Sequence, residues 1–69
     1  MIYKVSYVVL GGQQPGAIRN ESARPQTGQR IHLGRKVFEI VEVSNLLPPR
    51  DEITYLHATL REVTPSETP

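Results

Sequence analysis

Apolar and polar residues alternate with a period of two along most of the chain, and this pattern predicts strands rather than helices. The segment 2–10 is rich in β-branched and aromatic residues, which favour a strand. Residues 30–33, 37–43 and 53–60 alternate in the same way, and residues 17–19 predict a short additional strand. No segment has a convincing helical period.

Two strands depart from simple alternation. Residues 8–10 are apolar at every position, which predicts that the end of the first strand runs through the centre of the fold. The apolar positions of the segment 37–43 slip by one residue around Ile40 and Val41, which predicts a β-bulge. Between the strands, turn chemistry is expected at 11–16, around Pro25 and Gly28, and at 34–36. The two prolines in the connector 44–52 exclude a central strand there.

Strands joined by turns predict an all-β fold, either a small antiparallel meander or a partly open barrel of four to five strands. Closure would remove exposed strand edges. Residues 1–63 are expected to form a single small β domain, followed by a disordered polar tail at 64–69. The positions predicted to fill the core are Val5, Val8 or Val9, Ile31, Leu33, Phe38, Ile40, Leu56, Ala58 and Leu60.

The composition of this 69-residue chain limits the size of its core and the kinds of site it can form. A chain of this length buries only about 60% of its unfolded surface, so its core is thin. The absence of Cys excludes disulfides and thiolate zinc sites, and two His make a poor metal site, so no metal or cofactor is predicted. No apolar run is long enough to cross a membrane, and no secretion signal is recognised, so a cytoplasmic location is expected.

Residues 25–40 read Pro-Gln-Thr-Gly-Gln-Arg-Ile-His-Leu-Gly-Arg-Lys-Val-Phe-Glu-Ile. A Pro-x-x-Gly turn, an apolar-x-apolar strand, a Gly-bearing turn and an aromatic-x-apolar strand follow one another in this stretch. The region 25–43 resembles a hairpin of Src-homology-type small barrels, as found in small bacterial proteins. The resemblance implies a barrel in which the Pro and Gly set the turn and the later aromatic fills the core. It implies no activity.

The net charge of +1 is the sum of a basic first half and an acidic second half of the chain. Residues 1–36 hold six Lys and Arg against one Glu, a formal charge of +5, whereas residues 37–69 hold two Arg against six Asp and Glu, a charge of −4. Complementary charge of this kind favours association with another protein or with a second copy of the chain.

Catalysis finds little support in the sequence. No Cys is present, and no Ser lies in a Gly-x-Ser-x-Gly turn. His32 and His57 would have to meet in space, with Glu39 or Asp51 as a partner, but nothing in their spacing requires it. The glycine-rich segment 11–16 lacks the Gly-Lys-Ser/Thr of a phosphate-binding loop. The chain is therefore not expected to be an enzyme.

Basic residues are concentrated in the middle of the chain, where the predicted binding patch comprises Arg19, Arg24, Arg30, His32, Arg35 and Lys36. If the hairpin folds back, Arg30 and Lys36 become cross-strand neighbours, and such a patch would hold phosphates, with Tyr3, Tyr7 or Tyr55 for stacking. The competing interpretation is a solvated surface on which opposite charges neutralise each other.

An apolar stretch, Leu46 and Leu47, lies in the connector before the last strand. It either covers an open end of the barrel or contacts a partner together with Tyr55 and His57. The leading hypothesis is a non-enzymatic interaction module that binds a protein or its own copy. The alternative is a weak nucleic-acid binder that uses the basic hairpin.

Overall fold

The computed structural model describes residues 1–11, 16–48 and 50–63. The predicted tail at 64–69 and most of the predicted loop 11–16 lie outside these residues. The strands are β1 (Ile2–Val9), β2 (Ala17–Glu21), β3 (Arg30–Leu33), β4 (Lys36–Asn45) and β5 (Ile53–Glu62). Across the described ranges no helix has the length and apolar character needed to cross a bilayer.

The five strands form one curled sheet, an open half-barrel with the order β2-β1-β5-β4-β3. The predicted all-β fold and the partly open barrel are confirmed. A purely antiparallel meander is wrong in one respect, because β1 and β5 pair in parallel, from Ile2 beside Ile53 to Val9 beside Leu60. The strand with the most buried side chains, β5, takes the centre, and the short β2, which has no buried side chain, is left at an edge.

One face of the sheet is lined by the hydrophobic core, and this face is called inner below. The predicted core is confirmed, with Val9 rather than Val8 buried and Leu33 only partly buried. Tyr7, at 1% exposure, and Val63 join it. The expectation that residues 8–10 are buried on both faces is wrong, because Val8 and Leu10 point to the opposite, outer face and stay exposed.

The bulge in β4 and the turns at Gly28 and Gly34 follow their sequence signals closely. The register of β4 against β5 shifts between Ile40 and Glu42, which confirms the bulge. The Gln29 N–H donates to the Gln26 carbonyl, and Gly28 sits at the turn's third position with φ 91°, so Pro25 lies just before the turn. Gly34, with φ 63°, starts the two-residue connection of β3 to β4.

A second tight hairpin turn carries no glycine. Arg50 and Ile53 exchange two backbone hydrogen bonds of 3.0 and 2.8 Å, and the residues between them, Asp51 and Glu52, have φ of 51° and 64°. Two successive positive φ values are typical of a type I′ turn. Side chains with a Cβ adopt this left-handed conformation at a cost of roughly 1–2 kcal/mol each, so the turn is a strained point of the fold.

Candidate interaction surfaces

The outer face of the sheet brings together most of the residues predicted to contact a partner. Tyr55 and His57 alternate along β5 and point outward, both half-buried. Leu46 lies beside Tyr55, since its N–H donates to the Tyr55 carbonyl over 2.9 Å. Ile2 and Ile53 pair in the adjoining row. Ile2, Leu46, Ile53 and Tyr55 therefore form a patch that is called the outer apolar cluster.

Leu47 extends this cluster into the connector. Leu46 and Leu47 are each 54% exposed. The expectation that the two leucines cover an open end of the barrel is therefore wrong, because side chains that close a core would be buried. Their contact with a partner stays a prediction.

The six residues of the predicted basic patch are divided between separate places. Arg19 lies on β2 at one edge of the sheet, whereas Arg30 and His32 lie on β3 at the opposite edge. Arg24 lies in the segment 22–29 that links these strands, and its Nη2 donates to the Asn45 Oδ1 over 3.0 Å. Only Arg30, His32, Arg35 and Lys36 share one hairpin, which is called the basic hairpin.

Carboxylates face two cations of the basic hairpin. The expected pairing of Arg30 with Lys36 is wrong, because the register sets Arg30 opposite Glu39 and Lys36 opposite Leu33. Glu39 also accepts from the Arg61 guanidinium over 2.7 Å. The Lys36 ammonium lies 3.5 Å from a Glu62 oxygen. Much of the positive charge at this end of the sheet is thus compensated within the chain.

Sheet topology mixes the two charged halves of the sequence. The acidic half supplies β5 and most of β4, and β5 sits between β1 and β4. The basic half supplies both edges, β2 and β3. The strands of the acidic half consequently lie between strands of the basic half, and one ion pair among the described residues, Lys36 with Glu62, joins the two halves.

The two histidines are far apart. His32 pairs with Val37 and His57 with Ser44, at the two ends of β4. Seven residues of extended chain span on the order of 20 Å, which excludes an imidazole pair. Among the described residues no group of three His, Asp or Glu is arranged to hold a metal ion. Tyr7 is buried, so its predicted use as a stacking surface is wrong.

The β2 edge, the free side of Ala17–Glu21, carries an arrangement that the sequence did not reveal. The Tyr7 hydroxyl donates to Glu21 Oε2 over 2.7 Å and ties β2 to the core. Burial, and then the hydrogen bond and negative charge of Glu21, raise the pKa of Tyr7 far above its usual value, while Arg19 acts in the opposite sense. In the sequence, the available signal was an Arg and a Glu two residues apart, a spacing that places both on one face of a strand. The topology is needed to show that this strand lies at an edge of the sheet.

Comparison of the chain with protein-family models, with curated proteins and with solved structures finds no match. The resemblance of residues 25–43 to Src-homology-type barrels therefore stays a prediction, although Phe38, at 2% exposure, lies in the core as that resemblance implies.

Proposed function

We propose that the chain is a non-enzymatic interaction module that associates with other copies of itself by strand addition at the β2 edge. The observation that carries this proposal is the open edge itself. Among the described residues no strand pairs with the side of β2 away from β1, and Ile18, on the outer face of that strand, is 72% exposed. An unpaired edge offers a row of backbone donors and acceptors to another strand.

Apolar surface beside the edge supports the same function. Ile18 lies opposite Ser6 in the register of β2 with β1, and Val8 follows two residues along β1 on the same outer face. Val8 is also exposed. A strand added at β2 would cover part of Ile18, and each 100 Å² of apolar surface removed from water contributes about 2.5 kcal/mol.

The expected association is weak. The edge strand is five residues long, so pairing along it buries far less surface than the interface of a stable dimer. We expect dissociation constants of micromolar or weaker, so sedimentation equilibrium and light scattering should be measured up to about 1 mM protein.

Two matched variants test the assignment to β2. Ile18→Lys places a charge on the outer face of the β2 edge, and His32→Lys places one at an exposed, outer-face position of the β3 edge. Charged residues on edge strands oppose strand addition. We expect Ile18→Lys to abolish the association and His32→Lys to leave it unchanged. A wild-type chain that stays monomeric at 1 mM, or equal effects of the two variants, would contradict the proposal.

The alternative function, weak nucleic-acid binding, is favoured by the exposed Arg35 and His32 on the basic hairpin. Two of its cations already face carboxylates, which makes it the second choice. Phosphate contacts weaken steeply with salt. Binding of a generic oligonucleotide that is lost in Arg35→Ala and falls steeply with salt would support this alternative, and no binding at low salt would exclude it.

A further inference from the structure

We infer that two copies of the chain pair antiparallel through β2, with Asn20 at the two-fold axis and Arg19 of each copy opposite Glu21 of the other. The inference rests on the proposed function and adds the partner's position and register. It follows from which charges the edge presents and on which face they lie.

Arg19 and Glu21 share the inner face of β2, because they pair with Val5 and Tyr3 on β1. Neither residue takes part in an ion pair inside the described chain, where the pairs are Lys36 with Glu62 and Arg61 with Glu39. Glu21 Oε2 accepts the Tyr7 hydroxyl over 2.7 Å, which restrains the carboxylate from the β1 side while its charge stays on the inner face of β2. The edge therefore presents one positive and one negative group in known order.

Antiparallel pairing of β2 with its own copy has to keep inner faces together, and three registers, centred on Ile18, Arg19 or Asn20, then pair at least three β2 residues of each copy. The register centred on Ile18 sets Arg19 opposite Ala17 and gains no charge pair. With Asn20 opposite Asn20, each Arg19 faces a Glu21, and two unlike pairs form by symmetry. With Arg19 opposite Arg19, two like charges meet at the axis. Directly opposite unlike charges stabilise a strand pair and like charges destabilise it, so the register centred on Asn20 is favoured.

The other edge does not offer this match. Self-pairing of β3 would set Arg30 against His32, or His32 against His32, and β3 carries no carboxylate. Charge therefore favours a second copy at β2, whereas β3 offers no unlike pair to one.

Two single variants distinguish the registers. Glu21→Gln keeps an oxygen that accepts from Tyr7 but removes the charge, and it should weaken self-association about 2- to 30-fold if two exposed pairs are lost. Arg19→Ala should also weaken it. In the register centred on Arg19, Arg19→Ala would instead strengthen association and Glu21→Gln would leave it unchanged, and that result would overturn the inference.

A mixing experiment gives the sharpest test. Arg19→Glu and Glu21→Lys should each be monomeric, because each sets like charges opposite in its own pair. Mixed in equal amounts, they should form a heterodimer, since every opposed pair is then unlike. If Glu21→Lys does not fold after losing the Tyr7 hydrogen bond, the two single variants above still decide.

The outcomes separate this inference from the proposed function. A monomeric wild-type chain removes both. Self-association that Ile18→Lys abolishes, but that Arg19→Ala and Glu21→Gln do not weaken, removes the register alone. Light scattering and sedimentation report the association, and circular dichroism confirms that each variant is folded.

Discussion

The two edge strands of the sheet are held to the fold in different ways. β3 contributes the buried Ile31 to the core, at 7% exposure, whereas β2 buries no side chain. β2 is fixed by its backbone pairing with β1 and by the hydrogen bond of 2.7 Å from Tyr7 to Glu21. One edge is thus anchored by apolar burial and the other by polar contacts.

The edges also differ in what they offer to another strand. β3 presents Arg30 and His32 on its outer face and carries no carboxylate, while β2 presents Arg19 and Glu21 on one face and Ile18 on the other. A charged side chain with no unlike partner is a common protection of an exposed edge. The β3 edge, which is anchored by apolar burial, is thus protected against self-pairing, whereas the β2 edge, which is held by polar contacts, is suited to a second copy.

The largest expected effect on the free energy of unfolding distinguishes the apolar anchor of β3 from the polar anchor of β2. Ile31→Ala removes a buried side chain and should lower the free energy of unfolding by about 2–5 kcal/mol. Ile18→Ala, at an exposed site of the other edge, should change it by less than about 0.5 kcal/mol. Urea unfolding at low protein concentration measures both. Equal losses in the two variants would show that β2 is anchored by apolar burial after all.

A smaller effect is expected from the polar anchor of β2. Tyr7→Phe leaves the half-buried Glu21 carboxylate without its donor and should lower the free energy of unfolding by about 1–3 kcal/mol. Tyr55→Phe, which removes a hydroxyl from the outer face, is the matched control. A comparable loss in both variants would mean that the contact with Glu21 does not hold the edge.

The same contact sets a pH dependence. Because the pKa of Tyr7 is raised in the folded chain, the unfolded chain releases this proton first, near pH 10. The unfolded state then binds fewer protons, so the free energy of unfolding falls as pH rises above about 10. Unfolding measured between pH 9 and pH 12 should show this slope in the wild type and a reduced slope in Tyr7→Phe.

Local patterns were enough to predict much of the fold. Period-two alternation identified Phe38, Ile40 and Leu56 as core residues, and the slip near Val41 identified the bulge, because burial of one sheet face determines which residues can alternate. Glycine marked the turns at 28 and 34 because a positive φ is open to it without strain.

Long-range features of the sheet could not be predicted from local sequence patterns, because they depend on which whole strands compete for its centre. Parallel pairing of β1 with β5 follows from which strands need the centre, and adjacent residues do not record that choice. The edge position of β2, and with it the meaning of Arg19 and Glu21, depends on the same choice. The turn at Asp51 and Glu52 was not predicted, for a local reason: Asp suits the first central position of such a turn, but Glu52 stands at the second, where glycine is favoured.

The smallest expected effect comes from the turn at Asp51 and Glu52, where a substitution leaves both edge strands, β2 and β3, unchanged. Glu52→Gly relieves a φ of 64° and should raise the free energy of unfolding by about 0.5–1 kcal/mol, because the relief of strain exceeds the added freedom of the unfolded chain. The backbone carbonyl of residue 52, which accepts from the Ile2 N–H, is retained. Gly34→Ala, which introduces a Cβ at a φ of 63°, should have the opposite sign. Self-association of Glu52→Gly should match the wild type, since a more stable fold alone adds nothing to the β2 edge. A change in the dissociation constant would mean that association requires partial unfolding rather than the native edge.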